Sequence, residues 1–296
     1  MKRSGLIILS GFFWLTLGLT GRLAASEIRI RPERPVGGQG ILVELAASDS
    51  EIVRVRHQER LYHAYRASSG GREIFLPLRV GAAGSLPVLV ERISADSAVE
   101  KTDLALEVSA RPAESVKISA GGVRMRRRQP SRAEERDLVL DSLRRCSETR
   151  RWKEVFIRPL QGKPGTGFGV TRWRGDYQAR HWGVDFIAQK GTPVAAVNSG
   201  LVVLAEHGYN IYGNLVVVDH GQGVVSAYFH LDRILKKQGD VVERGETIGT
   251  VGSTGWSSGP HLHLALYLQG APVDPLWFID FTRTLSGAAP GGAKSP

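Results

Sequence analysis

Six of the eight histidines fall between residues 181 and 263, and four of those six belong to three short constellations: His181-Trp-Gly-Val-Asp185, Tyr228-Phe-His230 and His261-Leu-His263. Residues two or four apart on a strand project to one face, so His181 and Asp185 share a face, and so do His261 and His263. Gly183 disfavours the helical alternative for the first pair. Two neutral imidazoles and one carboxylate make a catalytic zinc set, which leaves the fourth position for a water whose pKa the ion lowers towards neutrality. A single cysteine, Cys146, excludes an internal disulfide framework, a Cys-rich structural zinc site and a CxxC redox motif. Any metal must therefore be held by His and carboxylate.

The remaining histidines read as structural. His57 and His63 have no acid at ligand spacing, and Asp219-His220-Gly looks like a strand end before a turn, with His207 its companion. One competing motif is Gly255-Trp-Ser257-Ser-Gly259, which matches the GxSxG nucleophile elbow of serine hydrolases. That elbow needs a strand before it and a helix after it. Here Pro260 and an alternating His-Leu-His-Leu follow, so a Gly/Ser loop leading into a strand is expected instead.

Three ligands from separate strands require a preformed sheet, and the chain supplies the patterns for one. From Val194 to Leu204, Leu215 to Asp219, Val224 to His230, Thr247 to Val251 and His261 to Leu268, apolar strand patterns are separated by Gly-rich turns. Upstream, Ile28 and Ile30, then Ile74, Leu76, Leu78 and Val80, then Leu104, Leu106 and Val108 alternate with polar residues, which predicts a β-sandwich over residues 27–110. Residues 111–151 change character: Arg124, Arg126, Arg127 and Arg128 cluster before a helix, and Arg144, Arg145, Arg150 and Arg151 follow. Ser131 and Glu134 form a capping box for that helix, and Val139, Leu143 and Cys146 give it a narrow apolar stripe. The expectation is an all-β protein: an N-terminal β-sandwich, a basic helical connector and a C-terminal antiparallel β domain over 152–284, with separate cores. Residues 285–296, rich in Gly, Ala, Ser and Pro, bury too little to stay ordered.

At 296 residues and 42% hydrophobic content the chain can bury about two cores. Its net charge of +10 argues for an anionic partner. Lys2 and Arg3 precede an uncharged run from Ser4 to Gly21, followed by Arg22-Leu-Ala-Ala-Ser26, which reads as a secretory signal over 1–26. Cleavage after Ala25 and after Ser26 both fit, and an uncleaved membrane anchor is the alternative. Either way export is expected, which sets nucleic acid aside, and charge alone does not choose between anionic lipid and an acidic cell-envelope polymer.

Taken in order, Phe168-Gly-Val-Thr-Arg-Trp-Arg, His181-x-x-x-Asp185, Gly191-Thr-Pro-Val-Ala-Ala, Gly213-Asn-Leu-Val-Val-Val-Asp-His-Gly, Tyr228-Phe-His-Leu and Gly249-Thr-Val-Gly-Ser-Thr-Gly through Gly259-Pro-His-Leu-His resemble the lysostaphin-type (LytM-like) zinc metallopeptidases over about residues 152–280. The resemblance implies that His181, Asp185 and His263 ligate Zn2+ and that His230 and His261 are the unligated catalytic pair. It further implies an endopeptidase that hydrolyses peptide cross-links in peptidoglycan through a metal-activated water, from a groove on an antiparallel sheet in the periplasm or cell envelope. His261 is placed to take the water's proton and His230 to serve the oxyanion, although either imidazole could be the base. The chain departs from the family at Leu264 and Ala265, where an aromatic and then Glu are common, and at Trp182, where the family has a small residue. The rival reading is a non-catalytic module of the same fold that binds wall peptide or regulates a partner amidase, and a protein regulator of the groove also fits.

Overall fold

The computed structural model describes residues 20–22, 24, 27–117, 132–144, 146–153, 155–174 and 176–287. Most of the expected signal segment, Ser131, the arginines at 124, 126, 127 and 128, Arg145 and the tail beyond 287 lie outside the described residues. Among those described, the fold is all-β apart from the helices Arg132–Arg144 and Pro275–Leu285.

The N-terminal strands make two sheets. A five-stranded sheet runs in the order Thr20–Arg22, Val99–Val108, Gly84–Ile93, Ile52–His57, Arg60–His63, and a four-stranded sheet runs Ile28–Arg31, Gly40–Leu45, Arg72–Pro77, Tyr65–Arg66. Ile41, Val43, Ile74 and Leu76 from the second meet Val53, Val55, Val88 and Val90 from the first in one core. Alternation works here as period-two patterning demands.

The two middle strands of the four-stranded sheet are nevertheless buried on both faces. Leu42 and Phe75 pair across the sheet and point away from the sandwich core. They join the C-terminal core, where the Phe75 ring lies 6.1 Å from Trp152, 5.4 Å from Phe278 and 6.5 Å from Phe281. The expected separate cores thus share a layer. A strand buried on both faces reads as a continuous apolar run, and Gly40-Ile-Leu-Val-Glu-Leu45 does so with one interruption. Polar ties reinforce the contact: Arg111 pairs with Asp274 at 2.6 Å and Arg150 with Glu73 at 3.0 Å. Arg150 also lies 4.4 Å above the Trp152 ring.

The C-terminal residues build a larger antiparallel sheet whose central strands are, in spatial order, Val184–Ile187, His261–Leu268, Val224–Ile234, Gly213–Gly221 and Gly200–Tyr209. The strand expected over 194–204 is broken by Ala196-Val-Asn-Ser199 into Pro193–Ala195 and Gly200–Tyr209. Tyr228, Leu262, Leu264 and Leu266 face the shared core, together with the helix Pro275–Leu285. That helix extends past the residue where the sequence predicted strands to end; its start was legible in Asp274-Pro275, where Asp274 caps the amides of Leu276 and Trp277 at 3.0 and 3.3 Å. On the opposite face Leu215, Val217, Val225, Ala227 and Ala265 lie under the helix Arg132–Arg144, whose Val139 and Leu143 are buried there. Cys146, expected on that stripe, falls beyond the helix end and is half-buried.

Because Phe75 belongs to the sandwich sheet but sits in the other core, Phe75→Ala should cost about 3–5 kcal/mol, and calorimetry should show one thermal transition moving as a whole. Two transitions of which only one shifts would mean that the layers unfold independently.

Candidate metal centre and active-site groove

Antiparallel register brings the sequence-predicted ligands together. Asp185 on Val184–Ile187 stands opposite His263 on His261–Leu268, and His263 in turn stands opposite Phe229 on Val224–Ile234. Their chain neighbours Val184, Phe186, Leu262 and Leu264 point into the core, so Asp185, His261 and His263 emerge on the other face. His181 arrives from the loop before Val184. Gly183 permits this: a Cβ there would lie 2.6 Å from His263 Nε2 and 2.4 Å from the Leu264 carbonyl oxygen.

Three donor atoms converge. His181 Nε2 lies 3.0 Å from Asp185 Oδ1 and 2.8 Å from His263 Nδ1, and His263 Nδ1 lies 2.9 Å from Asp185 Oδ1. His181 Nδ1 donates to the Gly167 carbonyl at 2.8 Å, which leaves its Nε2 as a bare lone pair aimed at the cluster. The outer oxygen of Asp185 accepts from Arg172. Burial opposes the Asp185 charge, yet beside the His181 and His263 rings the carboxyl stays far below the usual carboxylate range and is ionised. Burial also lowers His263 to about 4, so the ring is neutral at physiological pH. Two imidazole nitrogens and a carboxylate oxygen packed this closely fit a divalent cation that prefers tetrahedral N/O ligands.

His230 and His261 flank the cluster. The His261 Nδ1 donates to the Gly259 carbonyl at 2.8 Å, and its Nε2 lies 3.8 Å from Asp185 Oδ1. His230 Nδ1 donates to the Thr254 carbonyl at 2.9 Å. With Nδ1–H on a carbonyl, each ring in its neutral form presents an unprotonated Nε2, and the ring centroids lie 4.9 Å apart with their planes tilted by 50°. Burial, and then the neighbouring His261 and His263, push His230 down to about 3.

His230 reaches the site through a defect that periodicity does not reveal. Val216 pairs with Tyr228 and Asn214 with Leu231, so one residue on the first strand spans two on the second. His230 occupies this bulge with φ +64°. In consequence Tyr228 and Leu231 enter the core while both Phe229 and His230 face out. Tyr228, though part of the motif, is wholly buried and hydrogen-bonds the Val197 amide at 2.8 Å.

Beside these groups runs a groove of about 320 Å³, walled by Arg172, Trp182, Tyr212, Phe229, Trp256 and Tyr267 among others. Trp182 does not block it; the indole is 42% exposed and packs edge-on against Phe168 at 6.0 Å. At the other departure from the family pattern, Ala265 lies beneath Val139 and Leu143, where an ionised side chain would have only apolar neighbours. His207 is exposed on its strand, and His220 is wholly buried with its nitrogens 2.8 Å from the Ser199 carbonyl and the Ser226 hydroxyl. His57 is buried in the sandwich and His63 exposed at its edge. Ser257 is bound to the Gly259 carbonyl at 2.8 Å and a strand, not a helix, follows it.

Glu135 escaped sequence reasoning. On a helix read as a solvated basic connector, it is fully buried. Its carboxylate accepts from the amides of Asn210, Ile211 and Tyr212 at 2.7, 2.6 and 3.0 Å. The same loop accepts the His230 amide at the Tyr212 carbonyl, 3.0 Å, and the Trp256 amide at the Ile211 carbonyl, 2.9 Å. Glu135 thus fixes one wall of the groove and the backbone of His230. The only sequence signal was an acid one residue past the capping Glu134.

Residues 179–275, which include all five site residues, match Peptidase family M23. The chain is 44% identical over 98 residues to the peptidoglycan DD-endopeptidase ShyA of Vibrio cholerae, covering 33% of this chain and 23% of that protein. It is 42% identical over 97 residues to a lipoprotein NlpD/LppB homolog of Pseudomonas aeruginosa, covering 33% and 32%. The chain thus spans about a quarter to a third of these relatives' lengths. A crystal structure described as an M23 peptidase from Pseudomonas aeruginosa superposes with a TM-score of 0.62 at 28% identity, covering 83% of this chain and 94% of that one.

Replacing Glu135 with Ala leaves three part-buried amides without their acceptor, each costing up to roughly 1–3 kcal/mol where water cannot replace it. Amide hydrogen exchange at Asn210, Ile211 and Tyr212 should accelerate strongly in that variant, and unchanged exchange there would show that the carboxylate does not hold the loop.

Proposed function

We propose that this chain, whose residues 179–275 form a LytM-like peptidase family M23 domain, is a zinc-dependent endopeptidase that hydrolyses peptide cross-links in peptidoglycan. The observation that carries the reading is the triangle of His181 Nε2, Asp185 Oδ1 and His263 Nδ1, closed to 2.8–3.0 Å beside two histidines whose Nε2 atoms are bare. The similarity to a protein named as a peptidoglycan DD-endopeptidase supports the substrate class.

His181, Asp185 and His263 would hold the ion. Zinc supplies Lewis acidity that polarises a peptide carbonyl and makes a water acidic enough to attack at neutral pH. The chain's own groups manage the protons. With Nδ1–H pinned on a carbonyl, neutral His230 and His261 can only accept at Nε2, so one of them takes the proton of the attacking water. As oxygen adds to the carbonyl carbon, the protonated ring faces the developing oxyanion, and it returns the proton to the amine nitrogen as the C–N bond breaks. Neither ring can donate to the oxyanion before it has gained that proton. Arg172 keeps Asp185 ionised and oriented.

Around this core we read the chain as an exported envelope protein, with a signal or anchor over 1–26, a β-sandwich over 27–110, a connector over 111–151 and the peptidase domain over 152–284. Export to the periplasm or cell envelope puts it beside its polymer.

The purified protein should carry about one zinc per chain, and His263→Ala should lose it. His230→Ala and His261→Ala should retain zinc, since a tetrahedral site is filled by three ligands and water, yet each should cleave cross-linked muropeptide on the order of 100- to 10,000-fold more slowly in single turnover. Full zinc in His263→Ala, or wild-type rates in the other two, would refute the assignment. A zinc-loaded wild type that binds muropeptide without cutting it would be the regulatory or binding module instead.

A further inference from the structure

Trp182 and Arg180 wall the groove on one side and, on the other, a second cleft of about 270 Å³ that reaches to the N-terminal sheets. Arg60, Tyr62, Arg79 and Pro272 complete its walls, and no carboxylate lines it. Several arginines of the protein are neutralised: Arg31 by Glu44, Arg92 by Glu27 and Glu100, Arg111 by Asp274, Arg150 by Glu73 and Arg172 by Asp185. Arg60, Arg79 and Arg180 form no ion pair among the described residues. Arg60, Tyr62 and Arg79 line the same cavity; burial raises the Tyr62 phenol, and the Arg60 and Arg79 charges draw it back. Arg180 lies 5.8 Å above the Trp182 ring. Three like charges around one cleft repel one another, and an anion relieves them.

We propose that this cleft binds the carboxylate of an acidic residue in the wall peptide, some residues away from the bond cut in the groove. The proposal rests on the peptidase reading above. A guanidinium fork suits a carboxylate bidentately, and the shared Trp182 and Arg180 give an extended peptide a continuous path from one cavity to the other. Arg60 comes from the N-terminal strand Arg60–His63 and Arg79 from the loop after Arg72–Pro77, so the docked sandwich contributes to substrate selection as well as to packing.

The test compares a cross-linked muropeptide carrying a free carboxylate in its stem with the same peptide amidated there. Zinc-loaded wild type should show a KM about fivefold lower for the carboxylated form, the size expected of exposed ion pairs, and the preference should fade as salt rises. In the double variant Arg60→Gln/Arg79→Gln the difference between the peptides should vanish while kcat for each stays comparable. Arg56→Gln removes the same charge from an exposed strand position outside the cleft and should keep the preference. Equal weakening of both peptides in the double variant, no discrimination by wild type, or tighter binding of inorganic phosphate than of the carboxylated peptide would overturn the proposal. Calorimetric titration of the two peptides into wild type and double variant reads the same discrimination without turnover, so a protein that cuts nothing defeats the peptidase reading while the cleft is still judged on its own.

Discussion

Everything at the site depends on one register: Asp185 opposite His263 across the antiparallel pair Val184–Ile187 and His261–Leu268. A slip of one residue would turn Asp185 and His263 into the core and push Val184 and Leu264 out, so hydrophobic burial and ligand convergence demand the same pairing. Leu262, Leu264 and Phe186, all completely buried, are therefore what holds the donor triangle in place. The donor triangle is preformed by apolar side chains that never touch it, and Gly183 spares a Cβ that would collide with the His263 ring.

A second constraint acts on the opposite wall. The bulge at Phe229 and His230 gives up one step of regular pairing and puts a non-glycine residue at positive φ, a conformation that persists only where its surroundings over-determine it. Here they do so from three directions: the His230 amide on the Tyr212 carbonyl, its ring on the Thr254 carbonyl, and the Tyr212 loop itself on Glu135. The helix Arg132–Arg144 thereby becomes part of the groove's construction. Its apolar residues cover the sheet face with Ala265 beneath them, and its buried acid sets a loop that a sheet edge alone would leave adaptable.

How far the sequence discloses this differs from residue to residue. Period two disclosed which strands exist and which faces His261, His263 and Asp185 share, because burial of one face writes alternation into the chain. The same rule misled where both faces are buried: Leu42 and Phe75 look like ordinary members of a sandwich, yet they belong to the neighbouring core. The bulge was invisible, since His at positive φ has no compositional mark as Gly has. Glu135 and Arg172 were invisible for another reason. Each acts on groups distant in sequence, at Asn210–Tyr212 and Asp185, and a charge on a basic helix or strand reads as solvated until the fold shows what it meets. Pairing at long range is a property of topology, not of local pattern.

The chemistry of the outer partners follows a consistent logic. His181, His230 and His261 each rest Nδ1 on a backbone carbonyl, of Gly167, Thr254 and Gly259, rather than on a carboxylate. A carbonyl fixes the tautomer and the ring plane without adding negative charge. The one carboxylate in contact, Asp185, is shared with Arg172, which draws charge from its outer oxygen. A dication held there by two neutral rings and a partly neutralised carboxylate would keep a net positive charge, the charge that would polarise a carbonyl and acidify a water. Ala265, where the resembled family commonly has Glu, lies under the apolar face of the connector helix, so the donor triangle is supported by carbonyls and one guanidinium, and the buried charge of that layer is Glu135, which is spent on the Asn210–Tyr212 amides and not on the triangle.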